Sequence, residues 1–343
     1  MASLSALPGG PATRCRPSGL RGGAVGSKID GPASALALVA PELACAEGVL
    51  SELVQTDVAA VPEVAGYLLQ AGGKRLRPAL TALGARAVGH EGPVARLMCV
   101  GELLHLGSLL HDDVVDDGPT RRGRPAAHRV YGNAVTVLTG DFCLARAIWL
   151  ASEEGGHAAV HALGETVTSM AEGEVLQLQR AGDLSCTVEQ YLDVVARKSA
   201  ALIAWCAAAG AWAADRHDLA VPLQAFGRAV GIAFQITDDV LDYAQGTGKA
   251  SGADLRERKV TLPLLVAMAR IEGLRSRLEA GPPGPEAIEE MMLQIREAGA
   301  LEVALDEARR RVEAAHVLLE ELPGGDARDA LATLARYLVE RAL

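Results

Sequence analysis

From about Pro32 to the C-terminus the chain repeats one pattern: apolar residues recur three and four positions apart, and no run alternates as a half-buried strand would. The stretches "EVLQLQ" and "EQYLDVVARKSAALIAWCAAAGAWAA" carry this helical spacing, the second over a length that suits a long helix. Gly- and Pro-rich breaks interrupt the pattern at "QAGGKRLRP", "GHEGP", "DDGPTRRGRP", "YGN", "EEGG", "GTGKASGAD", "EAGPPGPE" and "LPGGD". The pattern predicts one all-α domain over residues 33–343. It should hold about ten to twelve helices, several longer than about twenty residues. Residues 1–32 differ: they are rich in Gly, Pro, Ser and Arg, have no acid before Asp30, and lack a secretory apolar run. They read as a disordered tail more readily than as an organelle transit peptide.

Composition sharpens the picture. Half of the 343 residues are hydrophobic but only 3% are aromatic, which suits close-packed Ala/Leu/Val helices better than stacked sheets. The longest charge-free run, Ser199 to Ala214, is shorter than the roughly 20 residues of a membrane span and reads as a buried helix, so no transmembrane segment is expected. The six cysteines show no C-x-x-C pairing, which suggests free thiols in a reducing, cytoplasmic setting. A net charge of −10 argues against a nucleic-acid partner, so a local basic cluster would more naturally meet a small anion.

Candidate chemistry centres on "HDDVVDDGPTRRG", residues 111–123. Asp112 and Asp116, four apart, share one helix face, and the arrangement returns in "FQITDDVLD" as Asp238, Asp239 and Asp242. Asp is a poor interior helix former, and like charges at this spacing destabilise a helix. A multivalent cation between the carboxylates would relieve the repulsion. An all-oxygen donor set suits Mg²⁺, which completes its shell with water and substrate phosphate oxygens. One such motif could equally be a solvated acidic helix end; two, each preceded by an apolar run, favour metal. Basic clusters lie at Gly-marked loops: Lys74, Arg75 and Arg77 in "GGKRLRP"; Arg121, Arg122 and Arg124 in "RRGR"; Lys249 and Lys259 flanking "ASGADLRER". Such loops and cations suit phosphate oxygens, and beside the aspartates they suggest a bound diphosphate. His157 and His161 are four apart, but no third ligand fits them, and "GTGKASGAD" lacks the strand–loop–helix context of a nucleotide site.

In order and spacing, "GGKRLRP", "LLHDDVVD…RRG", "GDF", "EGE", "KSA", "FQITDDVLD", "GKASGADL" and "KVTLPLL" resemble the trans-isoprenyl diphosphate synthases, the all-trans polyprenyl synthetase family, from about residue 35 onward. The resemblance implies an isoprenoid-synthase-type helical barrel around a central cavity, working as a homodimer. It implies an enzyme that condenses isopentenyl diphosphate with an allylic diphosphate, head to tail. The allylic diphosphate would be held through about three Mg²⁺ ions by Asp112, Asp116 and Asp238, supported by Asp239 and Asp242. Arg121, Lys198, Lys249 and Lys259 would contact that diphosphate. Isopentenyl diphosphate would sit against Lys74, Arg77, His105 and Arg122. Ser199 and Gln235 would offer oxygen dipoles to an allylic carbocation, and peripheral membrane contact would suit release of a long product. Two departures stand out: Ser199 where Thr is commoner, and Arg258 where Gly is frequent.

Product length is read on the helix of Asp112, where Ser108, Gly107, Leu104 and Gly101 should face down the cavity. They include no aromatic floor, so growth to a geranylgeranyl or longer product is expected. "MAEGEVLQLQ" looks most like members that make quinone side chains. Two alternatives stay open: a class I terpene cyclase, disfavoured by the second aspartate motif, and a catalytically silent partner subunit, which would be expected to carry a damaged motif.

Overall fold

The computed structural model describes residues 29–70, 75–121, 123–244 and 252–340. Lys74, Arg122 and Lys249, and residues 1–28 of the expected tail, lie outside the described set. The first helices are α1 (Pro32–Ala37), α2 (Ala40–Leu53), α3 (Ala60–Leu69), α4 (Leu76–Ala87) and α5 (Ala95–Val115). After a hairpin of two-residue strands, β1 (Thr120–Arg121) and β2 (Arg124–Pro125), come α6 (Ala127–Tyr131), α7 (Asn133–Glu154), α8 (Gly156–Gln179), α9 (Val188–Val195), α10 (Ala201–Ala213) and α11 (His217–Tyr243). The chain continues through α12 (Ala253–Arg256), α13 (Leu262–Arg270), α14 (Leu274–Glu279), α15 (Pro285–Glu297), α16 (Ala300–Leu319) and α17 (Asp326–Glu340). The all-α expectation holds. The seventeen α-helices among the described residues exceed the expected number because several are short, such as α6, α12 and α14, which lie between or beside the Gly/Pro-marked breaks. The hairpin was not foreseen, since two residues per strand are too few to show alternation.

Helix α10 is the centre of the bundle: every residue from Ala201 to Trp212 is buried, against α4, α5, α8 and α11. Alanine and glycine make this possible. Gly84 of α4 lies against the Ala207 carbonyl and Gly210 of α10 against the Ala85 backbone, so a side chain at either position would overlap the neighbouring helix. Trp205 is fully buried with its polar atom met: Nε1 donates to the Ala159 carbonyl at 3.0 Å.

Between α9 and α10 the turn Ala196–Ala200 is π-helical, so α9, this π-turn and α10 form one rod, Val188–Ala213. Three helices among the described residues are long and apolar enough to cross a membrane by length and composition: this rod, Asn133–Glu154 and His217–Tyr243. The rod is longer than its charge-free run because a helix can extend past an isolated charge, and that run is a buried helix as expected. Mutual burial accounts for much of the rod's apolarity, since 83% of its apolar window is covered; for α7 the share is only 39%. Cys99, Cys143, Cys186 and Cys206 are free and buried.

Candidate active site

The four aspartates that end α5 divide between two jobs. Asp113 is buried, pairs with the Arg121 guanidinium and accepts the Ala127 N–H at 2.9 Å, so it ties β1 and the start of α6 to the helix. Asp117, at φ 49° just past the helix end, accepts from Arg129 at 2.8 Å and lies 3.3 Å from His128 Nε2. Asp112 and Asp116 remain on the adjacent face. A helix C-terminus already carries a partial negative charge, so this end of α5 is a strong attractor for cations.

The second motif sits at the C-terminal end of α11 and divides in the same way. Asp239 is buried and accepts from Tyr191 Oη at 2.6 Å and from Gln235 Nε2 at 2.8 Å. Asp242 caps α12, accepting the Ala253 and Asp254 N–H groups at 3.3 and 3.0 Å. Asp238 is half-buried beside them. Lys259 joins the two motifs: burial pulls its pKa down, but Glu257, Asp254 and Asp116 outweigh this and hold it raised, and its charge also acts on Asp239. One lysine therefore feels Asp116 of the first motif and Asp239 of the second, which places both helix ends around one site.

The π-turn supplies the third wall. Lys198 pairs with Glu174 of α8, and Arg197 reaches Glu172 at 2.6 Å and Asp193 at 2.8 Å. Gly173 lies between these two glutamates. A Cβ there would stand 2.5 Å from Lys198 N and 2.9 Å from Lys198 Cα, so only glycine lets α8 approach the π-turn this closely. π-Turns are frequent at functional sites because the extra residue re-aims side chains. Here Ser199 Oγ donates to Gln235 Oε1 at 2.8 Å, joining the π-turn to α11. Arg258 adopts φ 54°, the left-handed region where glycine is at home, and its carbonyl accepts the Gly182 N–H at 3.1 Å.

His105 and Ser108 are half-buried, two turns and one turn before Asp112 on its face. Arg77 flanks the inner part of α5, its Cβ 3.7 Å from where a Gly101 side chain would begin. Two of the expected chain-length positions need correction. Gly101 meets Cys206 Sγ of α10, and a Cβ at Gly107 would lie 2.9 Å from the Gly140 carbonyl of α7. Both glycines are close crossing points between helices and leave no open wall. Gly107 lies about 140° round the helix from Asp112, and α10 and α4 have closed over the Asp112 face by the depth of Gly101. Leu104 is a core residue at 4% exposure, which leaves Ser108 as the one half-exposed member of the set.

Among the described residues no three His, Cys, Asp or Glu side chains already converge to hold an ion. The available donors are carboxylates on separate helices, a set that fits a hard divalent ion whose shell is completed by water and phosphate. Their charge is poorly tolerated without one. Burial pushes Asp112 up to about 6, with Lys198 opposing and Glu174 and Asp116 adding; burial also raises Asp239 to about 6 and Asp254 to about 8. A carboxyl whose folded pKa exceeds its unfolded value binds protons more tightly when folded, so it destabilises the fold increasingly as pH rises. The metal-free melting temperature should therefore fall between about pH 4 and pH 8, and Mg²⁺ with pyrophosphate should raise it more at pH 8 than at pH 5. Differential scanning fluorimetry checks this; an equal shift at both pH values would contradict it.

Glu174, Tyr191 and Asp254 were missed as site residues. "EGE" was visible only as a shared motif, and nothing local to the sequence marks Glu174 as the partner of Lys198. Tyr191 carried a weak signal: it is one of only five tyrosines in an aromatic-poor chain, on the same apolar run as Lys198 and Ser199.

The fold and this site define a prenyltransferase of the isoprenoid-synthase fold. A family model described as Polyprenyl synthetase matches residues 58–293. The octaprenyl diphosphate synthase of Escherichia coli K12 is 36% identical over 314 residues, covering 89% of this chain and 97% of the relative. The all-trans-nonaprenyl-diphosphate synthase (geranyl-diphosphate specific) of Rhodobacter capsulatus is 35% identical over 323 residues, 91% of this chain and 99% of the relative. The structure of a Caulobacter crescentus CB15 polyprenyl synthase complexed with calcium and isoprenyl diphosphate superposes with TM-score 0.86 at 37% identity, covering 92% of this chain and 100% of that one. The chain belongs to the polyprenyl synthetase family, as a trans-isoprenyl diphosphate synthase of the medium/long-chain type.

Proposed function

We propose that this polyprenyl diphosphate synthase joins isopentenyl diphosphate head to tail onto an allylic diphosphate, repeatedly, to a long all-trans product. The observation that carries the reading is the convergence of two aspartate-rich helix ends on the shared cation Lys259, with Lys198 beside Asp112. Asp112, Asp116 and Asp238, with Asp239 and Asp242 behind them, would hold about three Mg²⁺ ions, which bound together neutralise charge growing on the leaving diphosphate. Arg121, Lys198 and Lys259 add fixed positive charge around the same oxygens. As the allylic C–O bond breaks, Ser199 and Gln235 turn oxygen lone pairs toward the carbocation. The isopentenyl double bond, held at Arg77 and His105, attacks it, and the proton lost afterwards passes to the departing diphosphate. The aliphatic helices around the site keep water from the cation. Lys74, Arg122 and Lys249 are assigned to the same diphosphates by family resemblance alone.

Incubating the purified protein with isopentenyl diphosphate, allylic primers and Mg²⁺, then chromatographing the dephosphorylated products, tests the reading. Long polyprenols support it; hydrocarbons made without consuming isopentenyl diphosphate would indicate a cyclase, and no product a silent subunit. Since Ser108 is the half-exposed position one turn below Asp112, Ser108→Phe should shorten the main product by at least one isoprene unit, about one helical turn of length. An unchanged product distribution would remove Ser108 from the tunnel.

We also propose a homodimer. Helix α7 leaves Leu138 65%, Ile148 44% and Trp149 42% exposed, an apolar face that a second copy would cover. Light scattering should give twice the 35.6 kDa chain mass, and a monomer would refute the assignment.

A further inference from the structure

Tyr191 lies outside every diphosphate-binding and metal-binding set assigned above, yet it ends a continuous chain of hydrogen bonds that begins at Ser199. Its hydroxyl donates to Asp239 Oδ2 at 2.6 Å, Asp239 Oδ1 accepts from Gln235 Nε2 at 2.8 Å, and Gln235 Oε1 accepts from Ser199 Oγ at 2.8 Å. Tyr191 is 6% exposed and Asp239 8%, so neither finds water as a substitute partner. A phenol hydroxyl 2.6 Å from a carboxylate oxygen is the donor of that bond.

The direction of each bond follows from the carboxylate. An ionised Asp239 can only accept, so Gln235 must turn its NH₂ toward it and its carbonyl toward Ser199. The Ser199 hydroxyl must then donate, which leaves its own lone pairs free. Without the phenol, the buried carboxylate loses one of the two donors that fix its position. Once the Asp239 carboxylate shifts, nothing holds the Gln235 amide against flipping. The flipped amide would present N–H to Ser199, occupy a Ser199 lone pair, and reverse the dipole that faces the site.

We propose that Tyr191 is a positioning residue: through Asp239 it locks the Gln235 amide in the orientation that turns oxygen, and not N–H, toward the developing allylic cation. This rests on the reading above that Ser199 and Gln235 face that cation.

The test measures kcat, both KM values and the Mg²⁺ requirement for Tyr191→Phe, Gln235→Leu and the double variant, with the thermal midpoint as the check on folding. Tyr191→Phe should lower kcat about tenfold to a hundredfold, the range for losing one oriented dipole, with both KM values and the Mg²⁺ requirement within about threefold. Because it acts through Gln235, it should cost nothing further in the Gln235→Leu background. An unchanged kcat, an equal loss in both backgrounds, or a loss reversed by excess Mg²⁺ would each overturn the proposal. Should Tyr191→Phe fail to fold, Tyr191→His keeps a donor and should hold kcat within about threefold of wild type; a loss as large as that of Gln235→Leu overturns the proposal equally. If Gln235→Leu itself retains full kcat, the cation-facing role of Gln235 fails, a result distinct from failure of the Tyr191 relay.

Discussion

Asp112→Asn should lower kcat/KM by about a hundredfold to a thousandfold, the scale for removing one group that stabilises transition-state charge, and should at the same time raise the melting temperature of the metal-free protein. The two effects share one cause. The Asp112 carboxylate is half-buried near Glu174 and Asp116, so without a cation its charge is a burden that burial and these neighbours make worse. Asparagine removes the burden and, with it, the ligand. Asp238→Asn should lose activity similarly. Asp117→Asn provides the contrast, because Asp117 faces Arg129 and His128 on α6 and away from the site; its activity should stay within about threefold. Steady-state kinetics beside thermal melts checks all three. A stable, fully active Asp112→Asn variant would contradict the assignment.

Gly173→Ala should be almost as damaging, from a position that contacts no substrate. The added methyl would sit 2.5 Å from Lys198 N and 2.9 Å from Arg197 Cβ, both in the π-turn, so α8 and the turn must move apart. Overpacking of this kind costs about 1–3 kcal/mol. The larger loss should be in kcat. Lys198 and Ser199 would shift with the turn, and a misplacement of about 1 Å can cost on the order of a hundredfold. The Lys198–Glu174 pair, set one residue beyond the glycine, should loosen with it. Kinetics and a melting curve separate the two losses; a variant with lower stability but normal kcat would mean that the contact serves folding alone.

Much of this was legible in the sequence, and the remainder has identifiable reasons for being hidden. Helical spacing of apolar residues gave the all-α class, because period is a local property of the chain. The i,i+4 aspartates were legible for the same reason; Ser199 and Gln235 were named together only through the family resemblance, and the structure joins them by a hydrogen bond. What stayed hidden depends on which neighbour each helix face meets. Asp113 and Asp117 look identical to Asp112 and Asp116 in the string, and only the hairpin and α6 distinguish them. Gly101 and Gly107 look like openings in a wall, but they are the points where α10 and α7 press against α5. The Lys198–Glu174 and Tyr191–Asp239 contacts join residues far apart in sequence, and neither partner carries a local mark of the other.

The most direct measurement is a crystal structure with Mn²⁺ in place of Mg²⁺ and an allylic thiolodiphosphate that cannot ionise, the ions being located by anomalous scattering. The expected result puts the ions between the α5 carboxylates Asp112 and Asp116 and the α11 carboxylate Asp238, all bridged by one diphosphate whose outer oxygens reach Lys198 and Lys259. Ions bound at only one of the two helix ends, or a diphosphate lodged away from both, would contradict the account.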